Sequence, residues 1–219
     1  MTRPTARRGA GRPRTPVLSR DRIVDAALEL IDDGGTFSLG LLAERLAVKP
    51  SSFYNHISGK DDILAGVQER ITDAIDAGMF ERLPWADAVV EWARAYRAAF
   101  VAHPHAIALF ATAPVMGAGR TLRMYEQVVT GFRAAGWPLE AIIPAIVAIE
   151  SFVLGSALDA VAPATILEPG PDAEAVPLFA AAVSARDLRA AAENMTAADL
   201  AFATGLRAMI DGLAASASR

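Results

Sequence analysis

Apolar residues recur three and four positions apart along most of the chain, and this spacing constrains the fold more than any other feature. Glycine, proline and capping serine or threonine residues interrupt the pattern at intervals typical of helix ends. No alternating apolar and polar run and no hairpin signal accompanies it. Because 53% of the 219 residues are hydrophobic, there is ample material for a buried core. We therefore predict an all-α fold.

The interruptions divide the chain into helices. Ser19 is predicted to cap the first helix, which ends at Gly34, and Ser38 is predicted to cap a short second one. Pro50 then begins a brief third helix that reaches Ile57. Further helices are predicted over residues 58–75, 85–102, 105–111, 121–135, 139–161, 178–193 and 196–214, with a loop over 163–177.

Charge is distributed unevenly along the chain. The net charge is −4, but residues 1–66 carry +2 and residues 67–219 carry −6. The first 20 residues contain six arginines and no acid, which suggests contact with a polyanion or a merely solubilising tail. Within this arm, the run from Gly11 to Arg14 resembles the core of an AT-hook. Arg12 and Arg14 are therefore candidates for the minor groove of DNA.

Several classes of protein are disfavoured by composition. There is no cysteine, so a thiolate nucleophile, a disulfide framework and a cysteine-bound metal are excluded. The basic N-terminal segment lacks the apolar core of a secretory signal. The longest apolar run, residues 141–158, is interrupted by Glu150, so we predict no membrane span and expect a soluble, cytoplasmic protein.

The second and third helices form a pattern suited to DNA. Val48, Phe53 and Ile57 are predicted to point inward, which leaves a small, polar outward face. Hydroxyl and amide groups on such a short helix can meet base edges in the major groove, whereas longer side chains and a helix N-terminus can reach phosphates. The predicted base-facing residues are Lys49, Ser51, Ser52 and Asn55, and the predicted phosphate contacts are Ser38, Tyr54, His56 and Lys60.

The run from Ser38 to Leu64 resembles the DNA-binding signature of the TetR (tetracycline repressor) family. The match consists of a tyrosine, a histidine and an apolar residue at the end of the recognition helix, a lysine in the next turn and a leucine four residues later: Tyr54, His56, Ile57, Lys60 and Leu64. Two positions depart from the family. Ala47 stands where a turn glycine is usual, which requires the turn to keep a negative φ. Gly40 stands where many members place a residue that touches DNA.

The resemblance implies an N-terminal three-helix helix-turn-helix domain followed by a C-terminal helical domain for ligand binding and dimerisation. The implied division is a basic arm (1–18), a DNA-binding domain (19–66) and a regulatory domain (67–219). The implied function is that of a repressor, which binds a palindromic operator as a homodimer and is released by a small effector. Helices 139–161 and 196–214 would form the dimer, although both also fit the core of a monomer.

Trp92 and Tyr96 lie one helical turn apart, and core packing is their ordinary role. The resemblance implies that they line an effector pocket with Phe110 and Gln127 as neighbours. Because charge is sparse there, the expected effector is apolar or aromatic. No histidine stands where the namesake repressor needs one for metal-chelated tetracycline.

Other functions have less support in the sequence. His103 and His105 offer two metal ligands without a third, so a surface or capping role is favoured and no metal or cofactor is predicted. No nucleophile and base are arranged for catalysis, so we predict that the protein is not an enzyme. The remaining alternative is a helical protein that sequesters a small molecule and has little sequence-specific DNA binding.

Overall fold

The computed structural model describes residues 18–110 and 119–217, and within these ranges the chain is helical and contains no β-strand. The all-α prediction is confirmed. The α-helices are α1 (Arg20–Gly34), α2 (Leu39–Leu46), α3 (Lys60–Thr72), α4 (Met79–Arg82), α5 (Trp85–Val101), α6 (Ile107–Phe110), α7 (Gly119–Ala134), α8 (Leu139–Val161), α9 (Pro177–Ala192) and α10 (Ala197–Ala217). Short 3₁₀ helices cover Pro50–Asn55, Pro104–Ala106 and Gly170–Ala175. Arg12 and Arg14 lie outside the described residues.

The N-terminal helices α1 to α3 pack around a small apolar centre. Their ends are set by local hydrogen bonds: the Ser19 hydroxyl accepts from the Arg22 N–H, and the Ser38 hydroxyl accepts from the Leu41 N–H. Gly35 ends α1 in the left-handed conformation, with φ of 72°. The fully buried side chains of this centre include Ile23, Ile31, Leu42, Phe53 and Ile63.

The C-terminal helices are longer and pack around α5 and α8. Helix α8 lies along α5 on one side and along α10 on the other. An aromatic cluster of Phe80, Trp85, Phe132 and Trp137 joins α4, α5 and α7. Gly131 permits this approach, because a Cβ there would come within 2.5 Å of the Phe80 ring.

Two of the N-terminal helices differ from the predicted bounds. The third predicted helix is a 3₁₀ helix that ends at Asn55, two residues before Ile57. The helix predicted over 58–75 begins at Lys60 and ends at Thr72, whose hydroxyl donates back to the Gln68 carbonyl. Ser58 does not accept from the helix start; instead its N–H donates to the Asp62 carboxylate at 3.0 Å. The apolar stripe continues past Thr72 because the following turn stays in the core.

Helix α8 is long and apolar enough to cross a membrane by length and composition, which the sequence analysis did not expect. Its single central charge, Glu150, does not lower the hydropathy of the segment enough to exclude it. Core helices of soluble proteins pass the same test. A third of the segment (33%) is buried inside the monomer, where α8 packs against α5 and α10.

Candidate DNA-binding surface and interior polar cluster

The 3₁₀ helix Pro50–Asn55 presents a polar face on an apolar anchor. Phe53 is fully buried and Ile57 is nearly so, which fixes the orientation of the segment. The intervening Tyr54 is 63% exposed. Exposed neighbours on this segment are Lys49, Ser51, Asn55 and His56, and Ser52 is half-buried. The segment therefore has the inward and outward faces that the sequence predicts, although its helix is tighter than an α-helix.

The turn before this segment adopts a conformation that the sequence analysis did not expect. Ala47 has φ of 54° and ψ of 44°, in the left-handed region, so the expectation of a negative φ was wrong. The Ala47 N–H donates to the carbonyls at the end of α2, and this hydrogen bonding requires the chain to reverse there. A left-handed alanine is strained, which explains why glycine is favoured at such a position.

The side chain of Lys60, the first residue of α3, reaches the segment that precedes α2. The Lys60 ammonium sits over the Phe37 ring, 5.3 Å from its centroid. Phe37 is buried and precedes Ser38, which is exposed and caps α2. The predicted phosphate contacts Ser38 and Lys60 are thus brought to neighbouring helix ends, where free N–H groups also favour an anion.

A hydrogen-bonded carboxylate fixes the position of α3. Asp62 accepts from the Arg20 guanidinium at 2.9 Å and from the Ser58 N–H at 3.0 Å. Burial alone would raise the pKa of Asp62, but the Ser58 N–H and the Arg20 guanidinium outweigh it and hold that pKa below its ordinary value. The carboxylate therefore ties the first turn of α3 to the first turn of α1.

Two histidines connect the N-terminal helices to the remainder of the chain. His103 Nδ1 lies 2.9 Å from a carboxylate oxygen of Asp32, and His105 Nδ1 lies 2.7 Å from the carbonyl oxygen of Asp32. Both contacts join the end of α1 to the short turn after α5. Among residues 18–110 and 119–217, no group of three His, Asp or Glu side chains is placed to hold a metal ion.

The predicted effector residues fall into two places. Trp92 is fully buried and Tyr96 is 7% exposed, with their rings 5.6 Å apart, and Phe110 is partly buried at the end of α6. Gln127 is exposed on α7 and lines a groove that includes Thr72, and its role as a pocket neighbour stays a prediction. Its exposure follows from helical phase, since the apolar face of α7 contains Met124 and Val128 and turns Gln127 away.

A polar cluster adjoins the buried aromatic rings, and the sequence analysis did not identify it. The Tyr125 hydroxyl donates to Glu150 at 2.7 Å, and the Tyr96 hydroxyl lies near this carboxylate. Burial raises the pKa of Glu150 more than the two hydroxyls lower it. Burial, followed by the negative charge of Glu150, raises the pKa values of Tyr96 and Tyr125 as well. An acidic residue in the middle of the most apolar helix was the available signal.

A cavity is lined by α5 and α10. It is a cleft of about 670 Å³ between α5 and α10, and Arg97 and Phe202 are among its lining residues. The Arg97 guanidinium donates to Asp199 at 2.6 Å and lies 4.7 Å from the centroid of the Phe202 ring. The ion pair with Asp199 and the contact with Phe202 therefore connect α5 to α10.

These features define a class: a helix-turn-helix protein with a larger helical C-terminal part. The family model for the tetracyclin repressor-like C-terminal domain matches residues 81–217. The chain belongs to the TetR family.

An HTH-type transcriptional regulator of Saccharopolyspora erythraea is 32% identical over 143 residues, which span 64% of this chain and 60% of that protein. The HTH-type transcriptional repressor DrrR1 of Streptomyces coeruleorubidus is 28% identical over 70% of this chain and 57% of its own length. The chain thus spans less than two thirds of these relatives.

Solved structures extend the similarity to the whole fold. A possible TetR family transcriptional regulator from Streptomyces coelicolor A3(2) superposes with a TM-score of 0.72 and 26% identity, covering 90% of this chain and all of that one. The S. coelicolor TetR family protein ActR in complex with (S)-DNPA superposes with a TM-score of 0.73 and 25% identity, covering 91% and 98%.

Proposed function

We propose that the protein is a ligand-responsive transcriptional repressor that binds a palindromic operator as a homodimer in the cytoplasm. The observation that carries this proposal is the exposed polar face of residues 49–56, held by buried Phe53 and Ile57. A short polar segment fixed in this way suits the major groove of DNA. The ActR complex supports a role for a small molecule, since (S)-DNPA is bound to that protein.

On this proposal the DNA contacts divide by chemistry. Lys49, Ser51, Ser52 and Asn55 face the base edges, while Ser38, Tyr54, His56 and Lys60 contact phosphates. Arg12 and Arg14 in the basic arm add contacts in the minor groove. The arm occupies residues 1–18, the DNA-binding domain 19–66 and the regulatory domain 67–219.

The proposed dimer forms through α8 and α10. Apolar side chains on α8 remain exposed in the monomer, among them Leu139 (63%), Ile143 (56%) and Val147 (52%). Gly155 lies further along α8, and a Cβ there would meet nothing within 4 Å. A bulky residue at Gly155 therefore fits the folded monomer but obstructs a second helix. We expect Gly155→Leu to keep the helical content and to shift the dimer to monomer in sedimentation, whereas Leu188→Ala on α9 leaves it unchanged.

The proposed switch runs through α3. Its first turn belongs to the DNA-binding surface, and its last residue, Thr72, shares a hydrogen bond of 3.1 Å with Thr121 at the start of α7. An effector held between α5 and α8 against Trp92 and Tyr96 would move α3 and change the separation of the two recognition segments. To release DNA, it must favour the non-binding spacing by about 1–3 kcal/mol.

Selection of bound genomic fragments by the purified protein tests the proposal. We expect one shared palindrome, and we expect Tyr54→Ala with Lys60→Ala to abolish its enrichment while small-molecule binding survives. Asp61→Asn is the matched control, because Asp61 is exposed beside Lys60 but is not assigned to DNA. No enrichment over random DNA at any salt concentration would favour a sequestering protein.

A further inference from the structure

The carboxylate of Glu150 lies without a cation at the edge of an aromatic interior. Among residues 18–110 and 119–217, no Lys, Arg or His forms an ion pair with it within 4 Å, and it accepts a hydrogen bond from the Tyr125 hydroxyl. Residues 111–118 contain no basic residue. An uncompensated acid in such a place is unfavourable and is a candidate for recognising a ligand.

The rings beside this carboxylate are suited to a flat organic cation. The Tyr96 hydroxyl lies near the carboxylate, and the Tyr96 ring stacks on Phe100 with a centroid distance of 5.3 Å. The indole N–H of Trp92 is buried and has no acceptor among the described residues. Aromatic faces attract ammonium groups, and a free indole N–H can donate to an oxygen of the same ligand.

We propose that Glu150, together with Tyr96 and Tyr125, recognises the protonated amine of an aromatic effector. This inference rests on the proposed effector function and specifies its chemistry: the ligand carries a positive charge in addition to the apolar body expected from the sequence. Glu150 is only partly buried, so an ammonium group can reach its oxygens. A bound ammonium group would neutralise the Glu150 carboxylate and would form charge-assisted hydrogen bonds with it.

Three naphthalene probes of matched shape test this inference on the full-length protein without DNA. They are 2-naphthylmethylamine, which is cationic at pH 7.5, 2-naphthylmethanol, which is neutral, and 2-naphthoate, which is anionic. Affinities are measured by calorimetry and by quenching of tryptophan fluorescence. We expect the amine to bind at least about tenfold more tightly than the alcohol, and the acid to bind most weakly.

The variant Glu150→Gln keeps the shape of the side chain and removes its charge. We expect it to abolish the preference for the amine while leaving the affinity for the alcohol within about threefold. Glu126→Gln is the matched control, since Glu126 is an exposed acid on α7, and it should keep the preference. Circular dichroism verifies that each variant is folded. Tyr125→Phe is a second test that removes one hydroxyl and keeps the charge, and we expect it to retain the preference.

The outcomes separate this inference from the proposed function. Equal affinity for amine and alcohol in the unaltered protein would overturn the inference and leave an effector pocket in place. A preference that persists in Glu150→Gln would overturn the role of Glu150. If none of the probes binds, both the inference and the pocket fail, whereas operator binding measured without probes still tests the regulator itself.

Discussion

The N-terminal and C-terminal parts of the molecule place their polar groups in opposite ways. In α1 to α3 the centre around Phe53 is apolar, and the polar face of residues 49–56 points to solvent. In α5 to α10 polar and charged groups enter the packed region, namely Glu150 with two tyrosines and Arg97 with Asp199. A surface for a polyanion needs exposed donors, whereas a pocket for a small molecule needs a few polar groups in an apolar wall.

The largest effect is expected in the core of the N-terminal part. Phe53→Ala removes a fully buried ring and should lower the free energy of unfolding by about 3–5 kcal/mol. Thermal and urea denaturation followed by circular dichroism measures this loss. Tyr54→Ala, one residue away and largely exposed, should change stability by less than about 0.5 kcal/mol. Equal effects would show that the two faces are not distinct.

In the C-terminal part, stability depends on the ion pair between Arg97 and Asp199. Asp199→Ala leaves the Arg97 guanidinium unpaired and should cost about 2 kcal/mol, less than for a fully buried pair because the Asp199 side chain is 40% exposed. Arg97→Met removes the charge itself and should cost less than about 1 kcal/mol. Denaturant titration of both variants checks the order, and the reverse order would contradict it.

The stabilisation from the Arg20–Asp62 contact between α1 and α3 should depend on pH. Because the pKa of Asp62 is lowered in the folded state, its contribution is complete above the unfolded value near 4 and is lost as the pH falls through the lower folded value. Asp62→Asn should therefore cost about 1–2 kcal/mol at pH 6 and little in strong acid. Melting temperatures measured from pH 6 downward test this, with exposed Asp61→Asn as a pH-independent control. A constant difference across that range would refute the assignment.

The smallest expected effect is a gain in stability. Ala47→Gly relieves a left-handed alanine and should stabilise the protein by about 0.5–1 kcal/mol, after allowing for the flexibility of glycine. Asn194, between α9 and α10, has the same φ of 54°. Because asparagine tolerates this conformation, Asn194→Gly should give a smaller gain. Denaturation of the two variants compares the turns directly, and a larger gain at Asn194 would contradict the explanation.

The sequence was sufficient to predict those features that depend only on residues close together in the chain. The helices, the serine caps at Ser19 and Ser38, and the buried Phe53 beside exposed Tyr54 follow from spacing and capping chemistry. The exposed faces predicted for DNA contact are therefore found, although their contacts remain proposals. The left-handed φ of Ala47 was missed, because the sequence shows the residue but not the angle that the turn demands of it.

The tertiary structure alone decided which distant residues meet. Gln127 was expected near Trp92, but the phase of α7 turns it outward, and a partial helical pattern does not fix that phase against its neighbours. Glu150 and Tyr125 stand 25 positions apart and become partners only when α7 packs on α8. By itself, the sequence determined the helical class and the outward polar face, because both depend on neighbours a turn away. The interior polar cluster depends on packing between helices, so it required the folded chain.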